Sequence, residues 1–511
     1  PAALPRRLYR DASRRSGGRR RAPGRVMASR TQFPAGLALE SHKLADAIVP
    51  VIELPAPSRV VLPLDPGTGE SAEPVVTVGQ AVKRGVLIGR ARSAFSANVH
   101  ASISGTVLAI ERAEAAVPAG TALCITIGGG EADGRPQESF AVPDVAAMAA
   151  PQLCDALRAA GIAGLGGAGF PTATKLAAGQ AKSVHTLLLN GAECEPWITC
   201  DDALMQTAAE DVVRGALVLR RACGAAACVI AIEDDKPAAI VAMTRAIEGA
   251  RDPGLTLVVV PAVYPRGAER QLMTAVTGME PPSGGWPIDA GVVCQNVATA
   301  AAVAHWAASG EPLLSRIVTV TGSGVARPCN VRAPLGTPLA DLVAAAGGYR
   351  DAPLRLIAGG SMTGLALPSD DVGLAKATNC VLVATQRDIA PRLDAFERAC
   401  IRCGNCADVC PAGLLPQQLH AAAVADEHPL LRELGAFDCI DCGLCDYVCP
   451  SQIPLAHRFR LARARLREAA AATLKADEAR ERHEQRQQRL RDEAAAKQRA
   501  FEDVRARALS A

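Results

Sequence analysis

The spacing of apolar positions changes several times along this chain, and each regime predicts a different architecture. Between residues 50 and 128 the apolar residues come in short β-branched runs. Val60-Val61-Leu62-Pro63-Leu64, Val75-Val76-Thr77-Val78, Val86-Leu87-Ile88 and Thr106-Val107-Leu108-Ala109-Ile110 are punctuated by Gly79, Gly85, Gly89 and Gly105, which reads as closely spaced strands. From 151 to 308 helical periods alternate with buried strand-like runs. Pro151 opens a helix carrying Leu153, Leu157 and Ile162. Strands are expected over 184–189, 228–232 and 255–260, with helices over 203–222, 236–250 and 298–308. Such alternation predicts an α/β domain with a mostly parallel sheet. Residues 316–386 repeat the theme on a smaller scale, with strands at 317–321, 355–357 and 381–384 and a helix over 338–346. After Pro454 neither glycine nor proline occurs, and Ala, Arg, Glu and Gln dominate. That stretch reads as one long solvated helix, its alternating charges either a water-facing surface or a docking face for a partner.

Composition narrows the class. A length of 511 residues predicts three or four domains. With 49% hydrophobic but only 3% aromatic residues, the cores are built from Ala, Val and Leu. A net charge of only +3 argues against nucleic acid as a partner. No run of about 18 apolar residues occurs, so a membrane-spanning helix is not expected. Residues 1–30 hold ten arginines against the single acid Asp11. They read as a disordered tail, with an organelle transit peptide as the alternative. The start at Pro1 suggests a fragment, a processed form or a tagged chain.

The cysteines carry the sharpest signal. Of 17, eight fall in two runs. Cys400, Cys403, Cys406 and Cys410 precede Pro411; Cys439, Cys442, Cys445 and Cys449 precede Pro450. Both runs read C-x-x-C-x-x-C-x-x-x-C-P. Three thiolates two residues apart wrap three corners of a cubane, and the fourth, followed by a turn-forming proline, crosses to the other cluster. Two [4Fe-4S] clusters are therefore expected. The first would be held by Cys400, Cys403, Cys406 and Cys449, and the second by Cys410, Cys439, Cys442 and Cys445. Zinc is the alternative, although its sites usually use C-x-x-C pairs separated by a longer gap. Clustered thiolates also point to a reducing cytoplasm.

Two stretches of the α/β region suggest a ligand. Residues 161–175 hold Gly161, Gly164, Gly166, Gly167 and Gly169, followed by Phe170 and Lys175. Gly164, Gly166 and Gly169 match G-x-G-x-x-G, but a helix precedes them where a dinucleotide fold has a strand. The glycines still let backbone N–H groups approach a phosphate or ring closely, and Lys175 adds a positive charge. A flexible turn is the plainer reading. Asn190 to Pro196 follows a predicted strand and places Glu193 and Glu195 at its carboxyl end, where such sheets bind ligands; taken alone, the two read first as solvated loop acids. In the β-rich region, residues 78–85 and 100–105 resemble the turn and hammerhead strand of lipoyl- and biotinyl-type sandwiches. The modifiable lysine is missing, so a scaffold is expected, with His100 a packed residue.

Together, the glycine loop, the Asn190–Thr199 run, Tyr264 to Leu272, Cys294 to Ala300 and the cysteine stretch ending at Leu455 resemble the RnfC family, a component of the Rnf electron transport complex, over roughly residues 33–460. Residues 151–400 are more distantly similar to the NADH-binding flavoprotein subunit of respiratory complex I. The resemblance implies a multidomain α/β chain. It would comprise a disordered Arg-rich tail (1–32), a lipoyl-like barrel-sandwich β domain (33–135), an FMN/NADH-binding α/β domain (145–310), a β-grasp, SLBB-like module (311–390), a helical two-cluster ferredoxin domain (391–455) and a charged helical extension (456–511). It implies non-covalent FMN at Gly164, Gly166, Gly167, Gly169, Lys175, Asn190, Asn296 and Thr299. Glu193, Glu195 and Glu269 would face NADH or NAD+, and Phe170 would stack on adenine. Against the complex I pattern, Ala192 and Ala268 replace acids and no second aromatic follows Lys175. Near the N-terminus only Ser41-His42-Lys43 remains of the family's H-P-P-E-H-K, which reads as drift in a loop.

The implied activity is NADH:ferredoxin oxidoreductase-type electron transfer within an ion-translocating complex, in either direction. Hydride chemistry belongs to the flavin and single electrons to the clusters, and no catalytic acid or base is required. The implied partners are an iron–sulfur subunit, integral membrane subunits and, indirectly, ferredoxin. The implied location is the cytoplasmic face of the bacterial inner membrane, as a peripheral subunit. Two other classes are the flavoprotein subunit of a soluble diaphorase or hydrogenase, which usually carries one cluster, and a cofactor-poor scaffold subunit. The second cysteine run speaks against the former, and the intact cysteines and glycines speak against the latter.

Overall fold

The computed structural model describes residues 26–28, 36–45, 48–129, 140–389 and 396–509. Its centre is a five-stranded, all-parallel sheet in the order Val26–Ala28, Leu255–Val260, Ala227–Glu233, Thr186–Gly191, Val292–Asn296. The strands are apolar on both faces, as burial between two helical layers demands. Leu187 and Leu189 pack into one core with the helices Ala209–Cys223, Pro237–Ala250 and Val297–Ser309. Leu188, between them, faces Leu272 and Met273 of the helix Glu269–Thr277 on the other side. All five strands run the same way, so the loops carrying Ala192–Thr199, Asp234–Lys236 and Pro261–Ala268 emerge at one end of the sheet.

The edge strand Val26–Ala28 corrects the sequence reading. It lies inside the stretch expected to be a disordered tail, yet pairs in register with Leu257–Val259. A backbone ladder needs no particular side chains, so Arg-rich surroundings did not reveal it. The rest of 1–32, apart from this strand, lies outside the described residues.

The sandwich is built from a four-stranded sheet (Arg59–Pro63, Thr121–Gly129, Gly105–Glu114, Ala81–Val82) and a three-stranded one (Glu73–Pro74, Leu87–Arg90, Val99–His100). Ile52–Glu53 leaves this domain and extends the sheet of the β-grasp module, pairing with Val331 and Arg332. That sheet runs Leu365–Leu367, Arg355–Ala358, Cys380–Ala384, Ser315–Thr321, Cys329–Pro334, Ile52–Glu53 around the helix Leu339–Ala345. The strands Cys329–Pro334 and Leu365–Leu367 were not anticipated. The cysteine region is helical, with Asn405–Asp408, Pro416–Val424, His428–Glu433, Leu444–Tyr447 and the start of the 55-residue helix Leu455–Leu509 sharing one core. No helix among the described residues is long and apolar enough to cross a membrane.

Candidate functional site

The cysteines sort by space, not by sequence. Cys410, Cys439, Cys442 and Cys445 line one cavity, together with Pro411, Leu414, Leu444 and Phe459. Cys400, Cys403, Cys406 and Cys449 line a second, with Ile401, Ile453 and Leu455. The fourth cysteine of each run has crossed to the other run's cavity. In the protein alone, burial pushes the Cys442 thiol up to about 12 and raises Cys439, Cys445 and Cys406. Thiols so placed ionise only with a strongly bound cation, because a coordinated thiol is deprotonated outright. Four sulfurs around each of two largely apolar cavities fit a pair of cubanes.

The two cavities face different surroundings. Cys400 and Cys403 are exposed, whereas none of Cys410, Cys439, Cys442 and Cys445 is. The second set is docked on the α/β domain. The Tyr264 hydroxyl donates to the Cys442 carbonyl at 2.7 Å. Asp438 accepts from Ser283 Oγ at 2.6 Å and from the Gly284 N–H at 3.1 Å, and pairs with Arg270 at 3.5 Å.

The glycine loop lies at the carboxyl end of Val292–Asn296. It opens with the Gly164 N–H donating to the Phe170 carbonyl at 2.8 Å. The Leu165 N–H donates to Thr299 Oγ1 at 3.0 Å, and Arg316 Nη2 reaches the Leu165 carbonyl at 3.0 Å. This holds the base of the loop while its crest, Gly166 to Ala168, is exposed. Gly167 has φ +109° with open space where a Cβ would point. Gly169, at φ +63°, would put a Cβ 1.7 Å from the Pro66 carbonyl oxygen. One glycine is thus needed for packing, and the other leaves bare backbone facing outward. Thr172 Oγ1 and Gln295 Nε2, buried beside the loop, have no partner in the protein, as groups that meet a ligand often do. A bare backbone crest, held from beneath and flanked by unsatisfied polar groups, fits a flavin nucleotide.

Several predicted ligand residues meet one another. Lys175 Nζ donates to Glu269 Oε2 at 2.7 Å and to the Cys294 carbonyl at 3.3 Å. Burial works against the Lys175 charge, but Glu269 offsets this and its pKa lies above the usual lysine value. Phe170 packs edge-on to Phe95 at 5.7 Å and tilted to Trp286 at 6.1 Å. Phe95 comes from the sandwich domain, and neither neighbour had a sequence signal. Asn190 Nδ2 donates to the Gly267 carbonyl at 2.7 Å. Asn296 caps its helix through the Ala298 N–H and donates to Asp201 Oδ2 at 2.6 Å.

The two strand-end glutamates have different surroundings from those expected. Glu195, expected to face the nicotinamide nucleotide, accepts from Thr363 Oγ1 at 2.5 Å and from the Met362 N–H at 3.0 Å. Its carboxylate also packs on Gly360. It therefore ties the α/β domain to the β-grasp module. Burial raises its pKa against the pull of those donors. Glu193 accepts from the Asp201 N–H at 2.6 Å and the Asp202 N–H at 3.3 Å, at the start of the helix Cys200–Thr207. Burial and then the Asp201 charge push Glu193 up to about 7. The buried acids Asp201 and Asp202 were not singled out from sequence. His100 is a packed, neutral residue, held down to about 3 by burial and then by nearby Lys376.

Four family models match. An FMN-binding domain of Nuo51 type covers residues 157–305, and an RnfC barrel sandwich hybrid domain covers 31–134. An SLBB domain covers 317–366, and a 4Fe-4S dicluster domain covers 399–453. Several curated relatives are named as the C component of an ion-translocating oxidoreductase complex. The protein from Pseudomonas aeruginosa is 45% identical over 469 residues, 91% of this chain and 59% of its own length. That from Serratia proteamaculans is 40% identical, covering 91% and 65%; that from Yersinia pestis is 41% identical, covering 91% and 74%. The chain thus spans less than two thirds of the first two. A solved NAD+-reducing [NiFe]-hydrogenase overlays with TM-score 0.44 and 20% identity over 63% of this chain and 62% of that one. At this identity and coverage, the chain belongs to the RnfC family, the C component of ion-translocating oxidoreductase complexes.

Proposed function

We propose that this chain is the peripheral electron-transferring subunit of an ion-translocating complex, oxidising NADH or reducing NAD+. FMN would lie on the Gly164–Gly169 loop, with Asn190, Asn296, Thr299 and the Lys175–Glu269 pair around it. Phe170 and Trp286 offer aromatic faces for a base. Cys400, Cys403, Cys406 and Cys449 would hold one [4Fe-4S] cluster, and Cys410, Cys439, Cys442 and Cys445 the other. When bound, the flavin exchanges hydride with the nucleotide and the clusters carry single electrons.

The observation that carries this reading is the unequal placement of the two cysteine sets. Tyr264 and Asp438 fasten the second set to the α/β domain, Asp438 through Arg270, the residue after the Lys175 partner Glu269. The first set has two exposed cysteines beside exposed Phe396 and Ile401. A chain built this way receives electrons on the flavin side and releases them at its surface, or the reverse. Its partners would be an iron–sulfur subunit and integral membrane subunits, with ferredoxin reached through them. Membrane association on the cytoplasmic face would come through those partners.

Iron, sulfide and flavin analysis of anaerobically purified chain, followed by an NADH-reduced EPR spectrum, tests the reading. The expected result is about eight iron and eight sulfide per chain, one FMN, and cluster signals that NADH elicits. Bound zinc without sulfide, or clusters that dithionite but not NADH reduces in flavin-loaded protein, would overturn it.

A further inference from the structure

The segment Gly36–Lys43, whose last three residues read from sequence as drift in a loop, lies across the loops at the carboxyl end of the central sheet. Leu37 pairs with Tyr264 through both backbone hydrogen bonds, at 2.9 and 3.1 Å. The Trp197 N–H donates to the Ser41 carbonyl at 2.9 Å, and the His42 ring stacks on Trp197 at 4.4 Å with an 8° tilt. His42, Glu193 and Trp197 all have left-handed backbone, with φ of 51°, 53° and 73°. Non-glycine residues adopt this conformation uncommonly, at helix caps and turns and also at functional sites.

Lys43 is the tip of this strap. Its ammonium donates to the Glu193 carbonyl at 2.7 Å and lies 3.7 Å from Asp235. Around it stand Glu193, Glu195, Asp201, Asp202, Glu233 and Asp235. Lys236 is a second cation, buried between Glu233 and Asp235. Contacts run from Lys43 to the glycine loop without a gap. Glu193, whose carbonyl Lys43 holds, accepts from the Asp201 N–H at 2.6 Å; Asp201 accepts from Asn296 at 2.6 Å; the Asn296 side chain lies about 3.1 Å from where a Cβ on Gly166 would be.

We propose that Lys43 is a positioning residue for the flavin nucleotide, acting through the Glu193–Asp201–Asn296 chain. Its charge offsets part of a dense carboxylate field beside a site that must accept a phosphate-bearing anion, and its hydrogen bond fixes the loop that shapes the site. The proposal rests on the FMN reading above. It makes the N-terminal strap part of the cofactor site, not a tether to it.

The test is FMN titration of the flavin-depleted full chain by fluorescence quenching, in wild type, Lys43→Gln and Lys43→Arg, each with intact clusters. K43Q keeps a donor and removes the charge, so its FMN affinity should fall about tenfold, the scale of one charge-assisted hydrogen bond. K43R keeps the charge and should bind within about threefold of wild type, a difference of less than 1 kcal/mol. Dithionite-reduced cluster signals should match in all three. K43Q binding as tightly as wild type, or K43R weakening as much as K43Q, overturns the proposal. Loss of cluster signals in K43Q assigns Lys43 to folding and overturns it too. A wild-type chain that holds clusters and binds no FMN removes the flavin reading itself, and the proposal with it.

Discussion

The Tyr264 hydroxyl is 2.7 Å from the Cys442 carbonyl oxygen, to which it donates. The tyrosine is buried and follows the sheet strand Leu255–Val260. It touches backbone between two cluster cysteines and fixes the distance across the domain border. Tyr264→Phe leaves that carbonyl without its donor. The cost should be about 0.5–1.5 kcal/mol, read as a lower denaturation midpoint. Cluster content should stay intact, and stopped-flow transfer from flavin to the clusters should slow.

Cys449 lines the cavity of Cys400, Cys403 and Cys406, not that of its sequence neighbours. Cys449→Ser should therefore damage the cluster of the first run and spare the other. EPR of the reduced variant decides it: loss of the signal belonging to the Cys439, Cys442 and Cys445 set would mean local ligation.

Glu195 bridges to Met362 and Thr363 across the border with the β-grasp module. A glutamine there has one acceptor oxygen, and its amide faces one of the two donors. Glu195→Gln should lower stability by about 1–3 kcal/mol in chemical denaturation. The concentration dependence of flavin reduction by NADH should be unchanged. A large rise in the NADH concentration required, at unchanged stability, would return Glu195 to the nucleotide site.

Stability should also depend on pH through Glu193, which burial and Asp201 push from 4.5 up to about 7. The folded chain holds this proton more tightly than the unfolded chain. The contribution is present below the ordinary carboxyl range and is lost as pH rises through about 7. Glu193→Gln has no proton to release. Its melting temperature should fall less between pH 4.5 and 7 than that of wild type. Glu233, also near 7, keeps its own share of the slope.

Gly167 and Gly169 separate cofactor contact from packing. Gly167→Ala meets no protein atom within 4 Å but is strained at φ +109°, at about 1–2 kcal/mol. It should weaken FMN binding while the chain folds and both clusters assemble. Gly169→Ala meets the Pro66 carbonyl and should lower soluble yield. Equal flavin content in Gly167→Ala and wild type would remove the loop from the site.

The chemistry was legible where it depends on local spacing. The crossing of Cys410 and Cys449 follows from the cysteine runs, and the exposed glycine crest follows from a glycine density no packed helix would keep. What depends on distant partners was not legible. Glu195 meets Thr363, 168 residues away, and an acid beside a strand end reads the same whether a ligand or another module satisfies it. Lys43 meets Glu193, 150 residues away, from a segment with no periodicity. Val26–Ala28 joins the sheet through a backbone ladder, which arginine-rich composition masks. Phe95 reaches Phe170 from another domain and has no pattern of its own.

The 55-residue helix Leu455–Leu509 begins inside the cluster core, where Phe459, Ala462 and Leu466 are buried. Arg463 anchors it further, reaching Asp441 and the Cys439 carbonyl. At 1.5 Å per residue it extends about 82 Å, and its later turns are exposed. The cluster domain therefore has a mast rooted beside the sulfur ligands. The root at Arg463 and the exposed Phe501 lie about 57 Å apart along one helix, so a partner docked on the far turns would be held well clear of the sulfur ligands.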